Sequence, residues 1–193
     1  MQARLAAKDI VCRRGERLLF RKLSIDCVAG DAVHVTGPNG IGKSSLIRIL
    51  AGLLRPYAGD VQHEGGRGLV DERLALDANL PLGKALAFWE RLDGNADMGR
   101  AGDLLQLAPL LDIPVRYLST GQKKRAALAR LINSNCPIWL LDEPLNGLDH
   151  HAQTVFEALI DQHCRAGGIA IVASHQPIAL PAPLTVALAD FAA

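Results

Sequence analysis

Gly37-Pro38-Asn39-Gly40-Ile41-Gly42-Lys43-Ser44-Ser45 decides how the rest of the chain is read. Its first eight residues fit G-x-x-x-x-G-K-[ST]. Glycines in that pattern let successive backbone N–H groups turn inward around phosphate oxygens, and the helix that follows adds the positive end of its dipole. Lys43 then reaches the β- and γ-phosphates, and the Ser44 hydroxyl holds Mg²⁺. The local context agrees. Ala32-Val33-His34-Val35-Thr36 is a short β-rich run entering Gly37, and Leu46, Ile47, Ile49, Leu50 and Leu53 recur at helical spacing before Pro56. Strand, loop and helix together predict a nucleotide cradle over residues 37–45.

Upstream, Arg17-Leu18-Leu19-Phe20 and Leu23-Ser24-Ile25-Asp26-Cys27-Val28 read as strands, with a turn at Ala29-Gly30-Asp31. Downstream, 81–117 is helical in character. Leu82, Ala85, Leu86, Trp89 and Leu92 form one apolar stripe, which Asp93-Gly94-Asn95 breaks. Leu104, Leu105, Leu107, Leu110 and Leu111 form another, closed by Pro114. A basic helix follows Ser119, then an apolar run Ile138-Trp139-Leu140-Leu141, a helix over 153–165 and a run Ile169-Ala170-Ile171-Val172-Ala173. Strands alternating with helices predict an α/β fold with a mainly parallel sheet. Residues 1–193 then form one domain: an α/β core of 1–80 and 118–193, and an inserted helical subdomain at 81–117.

Composition narrows the function. The chain has 193 residues with 21 Lys+Arg against 20 Asp+Glu, so it offers no basic footprint for nucleic acid. Hydrophobic residues at 49% and charged residues at 21% suit a folded globular domain and exclude disorder. Cys12, Cys27, Cys136 and Cys164 form no C-x-x-C, which points to a reducing, cytosolic compartment rather than a disulfide framework. His163 beside Cys164 is read as a pair of helix residues, not a metal site. Residues 166–189 carry no formal charge, yet Ser174, His175, Gln176, Pro177, Pro181 and Pro183 lie among them. A strand, a turn and another short strand are expected there, not a spanning helix. Arg4, Lys8 and Asp9 leave no signal-peptide core at the N-terminus, so the chain reads as soluble by itself.

Leu140-Leu141-Asp142-Glu143 is an apolar strand ending in two acids, at the edge where α/β sheets place ligands. Asp142 is assigned to Mg²⁺ through its water shell and Glu143 to the attacking water as general base. Leu118-Ser119-Thr120-Gly121-Gln122 opens the basic helix Lys123-Lys124-Arg125-Ala126-Ala127-Leu128-Ala129-Arg130, and Ser119 with Gln122 makes a capping box. This segment also resembles the LSGGQ signature of ABC-type ATPases. Asn146-Gly147-Leu148-Asp149 looks like their D-loop, and Ala173-Ser174-His175 like the strand end bearing their switch histidine.

The resemblance covers essentially the whole chain. It implies a P-loop NTPase (RecA-like) core with a mainly parallel sheet, an N-terminal antiparallel β part and an inserted helical subdomain. It also implies that His175 contacts the γ-phosphate, and that Ser119, Gly121 and Gln122 close over ATP bound to a second copy of the chain. A single set of motifs then means a dimer with ATP and Mg²⁺ between the subunits. Within the family, Arg13-Arg14-Gly15-Glu16-Arg17-Leu18-Leu19-Phe20, Leu76-Asp77, Leu80 to Trp89 and Pro137 to Pro144 are similar to the ATP-binding subunits of haem-exporting cytochrome c maturation transporters. That implies a peripheral subunit on the cytoplasmic side of the cell inner membrane. It would work with integral membrane transporter subunits, touch the membrane through them, and bind no nucleic acid. Another ABC exporter, a non-transport ABC protein and a poorly hydrolysing nucleotide switch are the competing readings.

Three departures bear on chemistry. No aromatic stands near position 12, where Cys12-Arg13-Arg14 offers only a guanidinium to stack on adenine. Glu72 falls where the family has a Q-loop glutamine, and its carboxylate is assigned to Mg²⁺. Thr120 replaces a signature glycine, and its β-branch restricts close approach. Phe88, on the shoulder of the first stripe, is read as subdomain core or as a contact with a membrane subunit's cytoplasmic helix. Lys43→Ala is expected to abolish ATP binding or turnover, as read by nucleotide titration and phosphate release.

Overall fold

Ile138–Asp142 and Ile169–Ala173 are buried at every position, which requires a sheet covered on both faces. The computed structural model describes residues 2–94 and 98–192 and supplies that sheet; Met1, residues 95–97 (with Asn95 of the expected break) and Ala193 lie outside the described residues. In chain order the elements are β1 (Arg4–Arg14), β2 (Arg17–Val28), β3 (Ala32–Thr36), α1 (Lys43–Leu50), β4 (Ala58–Glu64), β5 (Arg67–Val70), α2 (Leu82–Asp93), α3 (Met98–Leu104), α4 (Thr120–Asn133), β6 (Ile138–Asp142), α5 (His150–Arg165), β7 (Ile169–Ala173) and β8 (Leu184–Ala187). Five strands pair in the order β5-β6-β7-β3-β8 with parallel neighbours, and β2-β1-β4 form an antiparallel sheet.

Period-two alternation sends each strand's residues to opposite faces. Val33, Val35, Ile138, Leu140, Ile169 and Ile171 face α1 and the antiparallel sheet, where Leu46, Ile47 and Leu50 meet Leu5, Ile10, Phe20 and Leu23. Trp139, Leu141, Ala170 and Val172 face the other way, onto Leu128 and Leu131 of α4 and Phe156 and Ile160 of α5. The Trp139 ring is sandwiched, stacking on His163 at 3.9 Å and on Phe156 at 6.5 Å. Burial holds the His163 imidazole below its usual range, as an apolar site disfavours the charged ring.

Several boundaries differ from the sequence reading for local reasons. The two runs at 17–20 and 23–28 are one strand, interrupted by an irregular register where Lys22 takes a left-handed φ of 56°. Strands β1 and β4 carried no clear alternation in sequence, and β4 is mostly exposed. Helix α1 stops at Leu50 because Gly52, at φ 77°, turns the chain away and leaves Leu53 in solvent. Gly94 ends α2 in a left-handed C-cap. Helix α5 begins at His150, since Asp149 accepts a hydrogen bond from the Ala152 N–H at 2.8 Å. Beyond β7 the chain turns and returns as β8, the expected strand, turn and strand. Among the described residues no helix is long and apolar enough to cross a membrane.

Phe156 is fully buried between the sheet and α5. Phe156→Ala is expected to lower the unfolding free energy by about 3–5 kcal/mol, measured by urea denaturation.

Candidate nucleotide-binding and hydrolysis site

Parallel pairing sets Val35 opposite Ala173, and Ala173 opposite Asp142. The three central strands therefore end in one rung, and the loops leaving them open at the same sheet edge. The loop after β3 holds residues 37–42. Gly42, at φ 120°, lies directly over the Phe20 ring, which a Cβ there would meet at 3.0 Å. Lys43 at the start of α1 is buried and donates to the carbonyls of Gly37 at 2.8 Å and Pro38 at 3.5 Å. Its ammonium also lies 3.7 Å from Glu143 Oε1.

Glu143 leaves β6 in a left-handed conformation, φ 46°, with its N–H donating to the Ala173 carbonyl at 2.8 Å. Such backbone strain in a non-glycine residue gathers at functional positions, and here it turns the carboxylate into the cleft. Glu143 Oε2 lies 2.8 Å from His175 Nδ1 and accepts the His175 N–H at 3.4 Å. The Ser174 hydroxyl, which bonds both the N–H and the carbonyl of Gln176, fixes the turn that presents His175. Lys43, Ser44, Ser45, Glu72, Glu143 and His175 share a cavity of about 370 Å³ with Asn39, Gly40 and Gly42.

Asp142 is buried, and its Oδ1 has no hydrogen-bond partner. Desolvation pushes its carboxyl above the usual carboxylate range, while a hydrogen bond with Ser44 pulls the other way. An orphaned carboxylate oxygen beside a hydroxyl suits a hard cation that takes its remaining ligands from water and phosphate. Among the described residues no group of three or more His, Cys, Asp or Glu side chains could hold a metal by itself. Asp71, next to Glu72, pairs instead with Arg48 at 2.8 Å.

The signature segment lies elsewhere. None of Ser119, Gly121 and Gln122 lines the cavity of Lys43 and Glu143. Ser119 caps α4, its hydroxyl accepting from the Gln122 N–H at 3.2 Å while Gln122 Oε1 accepts from the Ser119 N–H at 2.8 Å. Gly121 packs against the Asn146-Gly147 loop so closely that a Cβ would lie 2.3 Å from the Gly147 carbonyl oxygen. Thr120 packs on the same Gly147 through its methyl group.

Two residues escaped the sequence reading. Lys124 is buried, and burial holds its ammonium below the usual lysine range although Asp142, Asp71, Glu72 and Glu143 all favour its charge. The signal was present: Lys124, Leu128 and Leu131 sit at helical spacing on the buried face of α4. Cys12, grouped with its arginines as a place for adenine, is instead buried beneath the sheet and hydrogen-bonded to Ser45. Arg14 is the residue that faces Ser44 and Ser45, in a cavity of about 220 Å³. Phe88 is 54% exposed with its ring edge-on to Trp89, so it is not core.

Comparison with known proteins agrees with this geometry. A family model described as ABC transporter matches residues 20–146. A cytochrome c biogenesis ATP-binding export protein CcmA from Novosphingobium aromaticivorans is 59% identical over 97% of this chain and 96% of its own length. The protein of that name from Zymomonas mobilis is 50% identical over 99% of this chain and 87% of its own length. Among solved structures, the ATP-binding subunit of an ABC transporter superposes with a TM-score of 0.81 at 20% identity, over 89% of this chain and 79% of that one, a likeness of fold.

The buried carboxylate yields a prediction. Because the folded protein raises the Asp142 pKa, its charged form is a liability that grows as pH rises above the unfolded value of about 3.9. Asp142→Asn is expected to raise the melting temperature of the nucleotide-free protein at pH 7. That advantage should vanish as the pH falls below that value, in calorimetric scans across pH.

Proposed function

We propose a role that starts from family membership: the chain belongs to the ABC transporter family and, within it, to the cytochrome c biogenesis ATP-binding export proteins. It is the ATP-hydrolysing subunit of such an exporter. The observation that carries the reading is the shared cavity, which joins Lys43, Glu143 and His175 within 3.7 and 2.8 Å while the signature segment stays outside it. One copy holds the phosphates and a second must complete the enclosure.

On ATP entry the Lys43 ammonium exchanges the Gly37 and Pro38 carbonyls for β- and γ-phosphate oxygens, joined by backbone N–H groups of residues 39–43. Ser44 and Asp142 would hold Mg²⁺, with Glu72 facing the same cavity, and the ion would there supply charge neutralisation at the phosphates. Glu143 accepts the proton of the attacking water, whose oxygen bonds to the γ-phosphorus as the bond to the bridging oxygen breaks and ADP leaves. His175, bonded to the other Glu143 oxygen, orients that carboxylate and reaches the γ-phosphate. Ser119, the Gly121 N–H and the end of the α4 dipole close from the second subunit. The capping box preorganises that end of α4.

In this proposal 1–80 and 118–193 act as the catalytic core, and 81–117 as the helical subdomain that meets integral membrane subunits. The exposed Phe88 face suits such a contact. The complex would sit on the cytoplasmic side of the inner membrane and couple ATP turnover to haem export or delivery for cytochrome c maturation. Glu143→Gln is expected to cut turnover about 100-fold or more and to trap an ATP-dependent dimer in size-exclusion chromatography. Turnover equal to wild type would refute the base assignment. Purification from solubilised membranes should recover a haem-handling complex, and recovery of an unrelated permease would overturn the haem role alone.

A further inference from the structure

The cavities around the phosphate loop lack a Phe, Tyr or Trp ring for the nucleotide base. No Phe, Tyr or Trp side chain lines either of the two cavities that contain Ser44 and Ser45. Phe20, whose ring lies under Gly42, is fully buried. Tyr57 is exposed, but it borders a different cavity, with Arg13 stacked on its ring at 4.6 Å. The phosphates thus have a cradle within one copy, whereas the base meets no Phe, Tyr or Trp ring there, only the Arg14 guanidinium.

Tyr117 offers that face on the other side of the dimer. It is 67% exposed and stands two residues before Ser119. Its position is well determined. The Tyr117 N–H donates to the Pro114 carbonyl at 2.9 Å, the Arg116 N–H donates to Ala78 at 2.9 Å, and Leu118 is buried in the core. Arg116 covers the Tyr117 ring, its guanidinium carbon 4.8 Å from the centroid, and is itself held by Asn79 Oδ1 at 2.9 Å. A ring with one face covered by a guanidinium keeps the second for a base. Leu118 is extended, so about 7 Å of main chain separates Tyr117 from Ser119. When Ser119 closes on the γ-phosphate, that spacing keeps the ring within reach of the same nucleotide.

We propose that Tyr117 of one copy stacks on the base of the ATP held by the phosphate loop of the second copy. The inference rests on the proposed ATP-bound dimer. It makes the base site composite, as the γ-phosphate site is, and explains how the chain dispenses with an aromatic beside Cys12.

The test uses the full chain carrying Glu143→Gln, with ATP and ribose triphosphate, which has no base, as probes. Added Tyr117→Ala is expected to weaken ATP binding about 10-fold or more and to leave ribose triphosphate binding unaltered. Added Tyr117→Phe, which keeps the ring, should restore ATP affinity. Mixing Tyr117→Ala chains with Lys43→Ala chains should recover a tight site, since an intact loop then faces an intact Tyr117. Unaltered ATP affinity in Tyr117→Ala, failure of the mixture to recover it, or a comparable loss in Tyr57→Ala would each overturn the proposal. Absence of an ATP-dependent dimer in the Glu143→Gln parent would instead count against the dimer itself.

Discussion

The alignment of three parallel strand ends is the constraint on which the site depends. Val35, Ala173 and Asp142 occupy one rung, so the loops that follow them have no freedom to open at different heights. A slip of one residue in β6 would carry Asp142 to the opposite face and bury Trp139 where Leu140 now packs. The alternation that prevents this is steep, because both faces are core: Ile138 and Leu140 belong to one cluster, Trp139 and Leu141 to the other. Catalytic geometry is thus secured by apolar packing some distance from the polar atoms it places.

Charge is the second organising quantity. Asp142 is buried with an oxygen unpartnered, Glu143 sits in a left-handed backbone conformation, and Lys43 satisfies itself on loop carbonyls. The first two arrangements cost free energy in the nucleotide-free chain, and a bound cation and phosphate would offset that cost. Lys124 is buried nearby, and Asp142, Asp71, Glu72 and Glu143 all favour its charge against the desolvation that opposes it. Binding therefore stabilises the fold by relieving these strains, so nucleotide affinity and folding stability are coupled here.

Residues whose role follows from backbone geometry were legible in the sequence. The phosphate loop is such a case, because glycine spacing, a preceding β-rich strand and a following helix are local facts. Ser119 and Gln122 likewise announced a capping box, which the structure contains. Contacts that depend on distant packing were not legible. Cys12 looked like part of a base-binding corner, yet strand alternation turns it inward beneath Ser45. Lys124 was lost within a basic run, although helical spacing put it on the buried side. Strand β4 had no alternation to show, since it is an exposed edge of the antiparallel sheet.

The placement of the signature segment has a structural cause that bears on mechanism. Gly121 and Gly147 approach so closely that no side chain fits between them, which ties the start of α4 to the loop leading from Glu143 to α5. The Ser119 end of that helix is exposed beside this loop rather than aimed into its own chain's cavity. In the proposed dimer, ATP drawing the signature toward a second copy's phosphates would therefore pull the Gly147 loop with it. That loop joins Glu143 to α5 over a few residues, so in the proposed dimer closure at one ATP would be transmitted along covalent chain to the base serving the other. A mechanical link of this kind couples two sites through a short rigid path, with no need for a rearrangement of the sheet between them.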